Sequence, residues 1–383
     1  MRVEQRLRRG AGTAIGAAYA AQGLGYAGVV TSLPVLKERV QIDDTVVSLI
    51  VLGVCVAAAA GSVLADLLAT RWGSRAALIT GLLLQVVALP LIAFLTPLPP
   101  FLAAFAVYGL GLGCVDAASA MQGVALQRAT GRPVLGRLFA AYTAAAIVGA
   151  LLVSGASVMG SAAVPLVVAA GIAVAVAGVG GRFFSPERPE RAASDSRPLP
   201  RRGIWVFGFV ILTAFVLDSA VSTWSTVYLA DTLMTTAALA PLGYAAYQGA
   251  VLLTRLATDA LVTRIGRRTL VAIAAAVAIV GCAVVAVLPL PALAIAGFAL
   301  AGVATGVLVP LAFGSAGELD PARSDEIIAR VNLFNYAGAV LGAVGVGLLG
   351  DVTGLGLAFA LPGLALVAVL TVLRRFTARR SVV

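Results

Sequence analysis

The sequence predicts an all-α membrane protein: twelve transmembrane helices in two parallel six-helix repeats, with both termini cytoplasmic. Three observations predict it. Of the 383 residues, 61% are hydrophobic and 11% are charged, against roughly a quarter charged in a soluble domain. Such a chain cannot cover itself for water. Strand-type alternation is absent, so the spans should be helical. Finally, one stretch is written twice. Asp66-Leu-Leu-Ala-Thr70-Arg71-Trp72-Gly73-Ser74-Arg75 recurs 193 residues later as Asp259-Ala-Leu-Val-Thr263-Arg264-Ile265-Gly266-Arg267-Arg268. Each copy is a short basic turn between two long apolar runs, once per half of the chain.

Twelve apolar runs follow in order, at 11–34, 45–69, 75–96, 100–127, 134–159, 161–183, 203–229, 239–262, 269–288, 291–316, 325–349 and 356–374. Each has about 20 residues, enough to cross a bilayer core of about 30 Å. The basic start, from Arg2 to Arg9, resembles a signal n-region, but the run after it is long enough to span and is read as an uncleaved first helix. Pro97-Leu98-Pro99-Pro100 and Pro289-Leu290-Pro291 break spans 3/4 and 9/10 at equivalent places, so the repeat belongs to the halves and not to one motif. Basic residues cluster at alternate loops: Arg71 and Arg75, Arg128 and Arg132, the linker, Arg264 to Arg268, Arg323 and Arg330, then Arg374 to Arg380. The opposite side has Lys37 and Arg39. Positive-inside places the termini and the middle linker in the cytoplasm. The domains are therefore 1–183, a Pro- and Ser-rich charged linker at 184–202, and 203–383. Six spans per half make the repeats parallel.

Composition also excludes functions. The net charge of +10 reads as charge segregated to one membrane face, and no nucleic-acid-binding motif is present. There is no histidine, which removes histidine-ligated metal sites and Ser-His-Asp catalysis. Cys55, Cys114 and Cys282 sit singly in apolar runs as packing residues. No metal, no cofactor and no enzymatic activity are expected. A channel would show a charged ring or filter repeat, and only scattered acids appear.

The six-plus-six plan and the basic turn after spans 2 and 8 resemble the major facilitator superfamily. The turn keeps Leu68, Ala69, Arg71, Gly73 and Arg75, and again Leu261, Arg264, Gly266, Arg267 and Arg268. It departs from the superfamily pattern at Asp66 and Asp259, where Gly is usual, and at Thr70 and Thr263, where Asp is usual. Other stretches are similar to the fucose-permease-like branch and uncharacterised bacterial inner-membrane members: Ser32-Leu33-Pro34, Asp218 followed by Trp224-Ser225-Thr226-Val227-Tyr228, Arg255 to Asp259, and Gln122 to Pro133. The resemblance implies a multi-pass bacterial cytoplasmic-membrane protein that moves a small organic solute by alternating access, with spans 1, 4, 7 and 10 lining the cavity and the basic turns stabilising the outward-open state. A monomer that meets solute, protons and lipid is expected. Span 5 lacks the internal proline usual in drug antiporters, which favours proton-coupled uptake of a sugar-like molecule. The alternatives are proton-driven efflux of a drug or secondary metabolite and, more remotely, a non-transporting sensor.

Five charges fall at membrane depth: Asp66, Asp116, Asp218, Arg255 and Asp259. Each costs at least about 2.5 kcal/mol there and needs a partner, water or a protonated state. Asp218, with Ser222 and Ser225 on its helical face, is the first proton-coupling candidate, and Asp116, with Ser119, the second. Arg255 and Asp259 are one turn apart and can pair. The cytoplasmic gate is expected to use Asp66, Arg71, Gly73, Arg75, Arg255, Asp259, Arg264, Gly266, Arg267 and Arg268, with the two shifted acids as its partners. Cavity candidates are Tyr19, Gln22 and Tyr26, spaced i, i+3, i+7, together with Ser119, Gln122, Tyr142, Ser222, Trp224, Tyr228, Gln248, Asn332, Asn335 and Tyr336. Aromatics with amides suit an uncharged or amphipathic organic solute. Trp224 and Tyr228 also fit interfacial positions, and Asn332 also fits helix–helix hydrogen bonding.

Overall fold

The computed structural model of the chain describes residues 2–130, 134–159, 161, 163–186, 199–320 and 324–376; the side chains of residues 2–9, Arg128, Asp259, 324–326 and Ala329 fall outside that description. Outside it too lie Gly131, Arg132 and Pro133, most of the linker, Arg323, and Arg379 and Arg380.

Among the described residues the chain is helical and no strand occurs. The helices are α1 (Arg2–Thr31), α2 (Leu33–Val40), α3 (Asp44–Trp72), α4 (Ser74–Phe94), α5 (Leu98–Thr130), α6 (Leu135–Val158), α7 (Val164–Gly178), α8 (Arg201–Val227), α9 (Pro241–Ile265), α10 (Arg267–Val287), α11 (Pro291–Gly317), α12 (Ser324–Thr353), α13 (Leu355–Ala358) and α14 (Ala360–Val369). Nine helical segments among the described residues are long and apolar enough to cross a membrane, and α7 is a shorter apolar helix. Neither α1 nor α9 is among the nine. Both carry a polar face: Tyr19, Gln22 and Tyr26 on α1, and Tyr244, Tyr247, Gln248 and Arg255 on α9. These side chains lower the apolar content of both helices.

Some expected runs take a different local form. The segment after span 1 begins a short helix, α2, with Pro34 in its first turn, where its missing N–H costs no helical hydrogen bond. The run at 203–229 ends in a π turn, Tyr228–Thr232. The last run is broken into α13, α14 and a 3-10 segment, Leu370–Phe376.

The chain forms two compact units, Met1–Ala193 and Ser194–Val383. In the first, α1 packs on α6, and α5 packs on both α3 and α4. In the second, α8 packs on α12, and α11 packs on both α9 and α10. The pairing scheme is the same in both, as the 193-residue repeat requires. Small residues set these contacts. A Cβ on Gly113 would meet the Ala58 carbonyl of α3, and one on Gly302 would meet the Tyr247 carbonyl of α9. Close backbone approach of this kind is how apolar helices gain packing energy without a hydrophobic driving force.

Lys37 and Arg39, the basic residues that stand apart from the others, are both engaged. Lys37 pairs with Asp44. Arg39 donates to the carbonyls of Ala93, of Ile92 at 2.6 Å and of Leu95 at 3.2 Å. These are the last carbonyls of α4, which lack helical partners and favour a cation.

Candidate functional site

Each unit contains one polar centre. In the first, α1 turns Tyr19, Gln22 and Tyr26 toward α5. Gln22 donates from Nε2 to Asp116 Oδ1 at 2.9 Å and to the Leu112 carbonyl at 3.1 Å. Gln85 of α4 donates in turn to Gln22 Oε1. Tyr19 and Tyr108 lie within electrostatic reach of Asp116, and Tyr26 within reach of Tyr108. The Tyr19 hydroxyl would stand 3.9 Å from a Cβ on Gly123. Tyr19, Gln22, Gln85, Tyr108 and Ser119 are buried, yet Asp116 is exposed. Asp116 lies near the middle of a 33-residue helix. A carboxylate at that depth is tolerated where it meets a polar or aqueous space and not lipid. The hydroxyls of Tyr19, Tyr108 and Ser119 have no hydrogen-bond partner among the described residues.

In the second unit the Tyr247 hydroxyl donates to Asp218 Oδ1 at 2.8 Å and lies 2.8 Å from Thr305 Oγ1. Tyrosine has one hydroxyl proton, so Thr305 donates to Tyr247 when Tyr247 donates to Asp218. The hydrogen-bonded chain runs from α11 through α9 to α8. Arg255, two turns along α9 from Tyr247, acts electrostatically on Asp218. Asp218 therefore has a cation in reach, whereas among the described residues no basic side chain is paired with Asp116. Ser222 and Ser225 are buried beyond Asp218 on the same helix, and neither hydroxyl has a partner among the described residues.

The two centres share no position. Moved by 193 residues, Gln22, Gln85 and Asp116 fall on Phe215, Ala278 and Val309; Asp218, Tyr247 and Thr305 fall on Gly25, Val54 and Leu112. The duplication explains the scaffold and neither polar centre.

The repeated turn, by contrast, is the same structure twice. Gly73 has φ 89° and ψ 156°, and Gly266 has φ 81° and ψ 154°. Their N–H groups donate to Ala69 and Val262, each at 2.9 Å. Thr70 and Thr263 donate back to Leu67 and Ala260, at 3.0 and 2.8 Å. The threonines that replace the family's acid thus bond to their own helix ends. The fastenings around the turns differ. Arg267 makes a bidentate pair with Glu318 at 2.7 Å. At the first turn, Gln122 Nε2 donates to Ser74 Oγ at 2.9 Å and to the Ser185 carbonyl at 2.7 Å, and Gln122 Oε1 accepts from Ser185 N–H at 2.8 Å. Arg71 lies over the Trp72 ring, 5.0 Å from its centroid. Asp66, Arg264 and Arg268 are exposed and Arg75 is half-buried. The Asp259 carboxylate lies outside the described residues.

Several expected cavity residues also make contacts within their own unit. Gln122 uses both ends of its amide to hold Ser185. Trp224 is fully buried and donates to the Ala343 carbonyl of α12 at 2.6 Å. Tyr228 donates to the Val285 carbonyl at 3.2 Å and packs edge-on against Phe298 and Phe359. Both aromatic side chains are buried. Gln248 donates to Tyr244 Oη at 2.7 Å, one turn back on α9. Tyr142 is half-buried beside α1, and its carbonyl lies where a Cβ on Gly23 would fall. On α12, Asn332 and Asn335 are half-buried and Tyr336 is exposed. Sequence reasoning missed Gln85, Tyr108, Tyr247, Thr305 and Glu318. Gln85 had a usable signal, because it is the one amide in the apolar run 75–96 and a membrane-embedded amide needs a partner.

Long apolar helices that carry carboxylates, amides and hydroxyls within their length define the class of multi-pass membrane proteins. The chain belongs to the Major Facilitator Superfamily, whose family model matches residues 15–298 and 206–382. It is 24% identical over 360 residues to an uncharacterised MFS-type transporter of Yersinia pestis, covering 93% of each chain. It is 31% identical over 285 residues to the uncharacterised transporter y4wD of Sinorhizobium fredii, covering 72% of this chain and 75% of the relative. Its fold is similar to that of FucP, a superfamily transporter solved in the outward conformation, with a TM-score of 0.68 at 16% identity over 96% of this chain and 98% of that one.

Proposed function

We propose that this protein is a proton-coupled secondary transporter that takes up a small organic solute across the bacterial cytoplasmic membrane by alternating access. In this reading it crosses the bilayer twelve times as a monomer, with both termini and the 184–202 linker cytoplasmic. The observation that carries the coupling is the contrast between the two mid-span acids. Asp218 has a cation in reach and a hydroxyl chain at its carboxylate, so gaining or losing a proton changes the local charge next to Arg255 and reverses the donors along Tyr247 and Thr305. Asp116 is exposed and held by one uncharged amide, Gln22, which suits contact with a solute.

The test is solute-dependent proton entry into proteoliposomes, read from an internal pH dye across a panel of sugars, nucleosides and hydroxylated amines. Asp218→Asn is expected to lower proton entry at least tenfold while solute counterflow persists. Asp116→Asn is expected to abolish both. If both variants retain pH-driven flux, proton coupling through these acids is wrong.

A further inference from the structure

We propose that the polar centre of the first unit is a binding site for a hydroxylated organic ammonium, with the charged nitrogen on Asp116. The inference rests on the transporter reading and names its substrate class.

Charge comes first. Asp116 is exposed at mid-span, its amide partner Gln22 is neutral, and no basic side chain among the described residues is paired with it. An ionised carboxylate at that depth lacks charge compensation from the protein. A cation from outside supplies it. A neutral sugar leaves the charge uncompensated, and an anion worsens it. The second observation is a set of buried hydroxyls: Tyr19 and Tyr108 within electrostatic reach of Asp116, and Ser119 one turn along α5. Tyr19, Tyr108 and Ser119 are buried, and each hydroxyl is without a partner among the described residues. Unsatisfied buried hydroxyls cost roughly 1–3 kcal/mol each, and a ligand carrying its own hydroxyls would satisfy them. Aromatic faces within reach of the acid also suit an ammonium group. The third observation is positioning. The relay from Gln85 to Gln22 to Asp116 leaves one carboxylate oxygen engaged and orients the other. Gln85 is therefore a positioning residue, not a contact residue.

These features distinguish the site from the Asp218 centre, where Arg255 already provides positive charge. They also narrow the expectation of an uncharged or amphipathic solute, which came from the aromatics and amides without their acid.

The test is ligand-induced thermal stabilisation of purified protein in detergent, without any proton gradient. Glucosamine and ethanolamine are compared with glucose and ethylene glycol, which keep hydroxyls and lack the amine. The expected result is that at least one amine raises the melting temperature, that its uncharged counterpart binds at least tenfold more weakly, and that Asp116→Asn removes the difference. Asp116→Glu should retain the preference, and Gln85→Leu should weaken amine binding without abolishing it. Equal stabilisation by amine and uncharged counterpart, or no stabilisation by either amine, overturns the proposal. The wild-type comparison is decisive even where a variant fails to fold. Proton-coupled flux of an uncharged solute alone would overturn the ammonium class and leave the transporter reading standing. Amine binding without any flux would do the reverse.

Discussion

Gln122 behaves as a piece of backbone. Its amide accepts from the N–H of Ser185 and donates to the C=O of the same residue, as a neighbouring strand would. A third contact reaches Ser74. Ser185 opens the linker, so this one side chain fixes where the chain leaves the first unit. Gln122→Leu should lower stability by about 1–3 kcal/mol, the range for stranding buried polar groups. Thermal unfolding in detergent measures it. Gln122→Glu keeps the acceptor but sets a buried carboxylate against the Ser185 carbonyl and should cost at least as much. Trp224 teaches the same lesson about aromatic residues at membrane depth: its indole N–H is spent on Ala343, so its size serves packing between α8 and α12.

At the scale of elements, the two basic turns show a shared geometry with different fastenings. Both glycines occupy a backbone region that is essentially reserved for glycine, and a side chain there costs about 1–3 kcal/mol. A Cβ on Gly73 would in addition meet the Pro186 carbonyl, while one on Gly266 meets nothing within 4 Å. Gly73→Ala should therefore destabilise more than Gly266→Ala, as two melting curves would show. The second turn is fastened by charge. The Arg267 guanidinium holds the Glu318 carboxyl below its usual range, through two hydrogen bonds and through its charge. A carboxyl whose folded pKa is depressed stabilises the fold at pH above its ordinary value, and the contribution fades as pH falls through the depressed value. Glu318 is 56% exposed, so the pair contributes under about 1 kcal/mol and less in high salt. Glu318→Gln should flatten the acid limb of the melting profile slightly and remove part of its salt dependence. The neutral fastening at Gln122 should show neither response.

At the scale of the molecule, what could be read from the chain was what repeats or runs long. The apolar runs, the proline breaks and the Gly73 and Gly266 turns are local patterns, and local patterns survive in one dimension. The polar centres are not local. Gln22 meets Asp116 across 94 residues, Gln85 meets Gln22 across 63, and Tyr247 meets Thr305 across 58. Helical spacing placed Tyr19, Gln22 and Tyr26 on one face and could not say which helix they faced. Nor does the chain show that Trp224 donates to Ala343 across 119 residues, or Tyr228 to Val285 across 57. The two centres also fall on unlike residues when one half is laid on the other: Asp116 on Val309, Asp218 on Gly25. This has a historical consequence. An ancestral half, joined to its own copy, need have carried neither acid. A recombinant gene that exchanges residues 1–193 with a relative would replace the residues around Asp116 and keep those around Asp218.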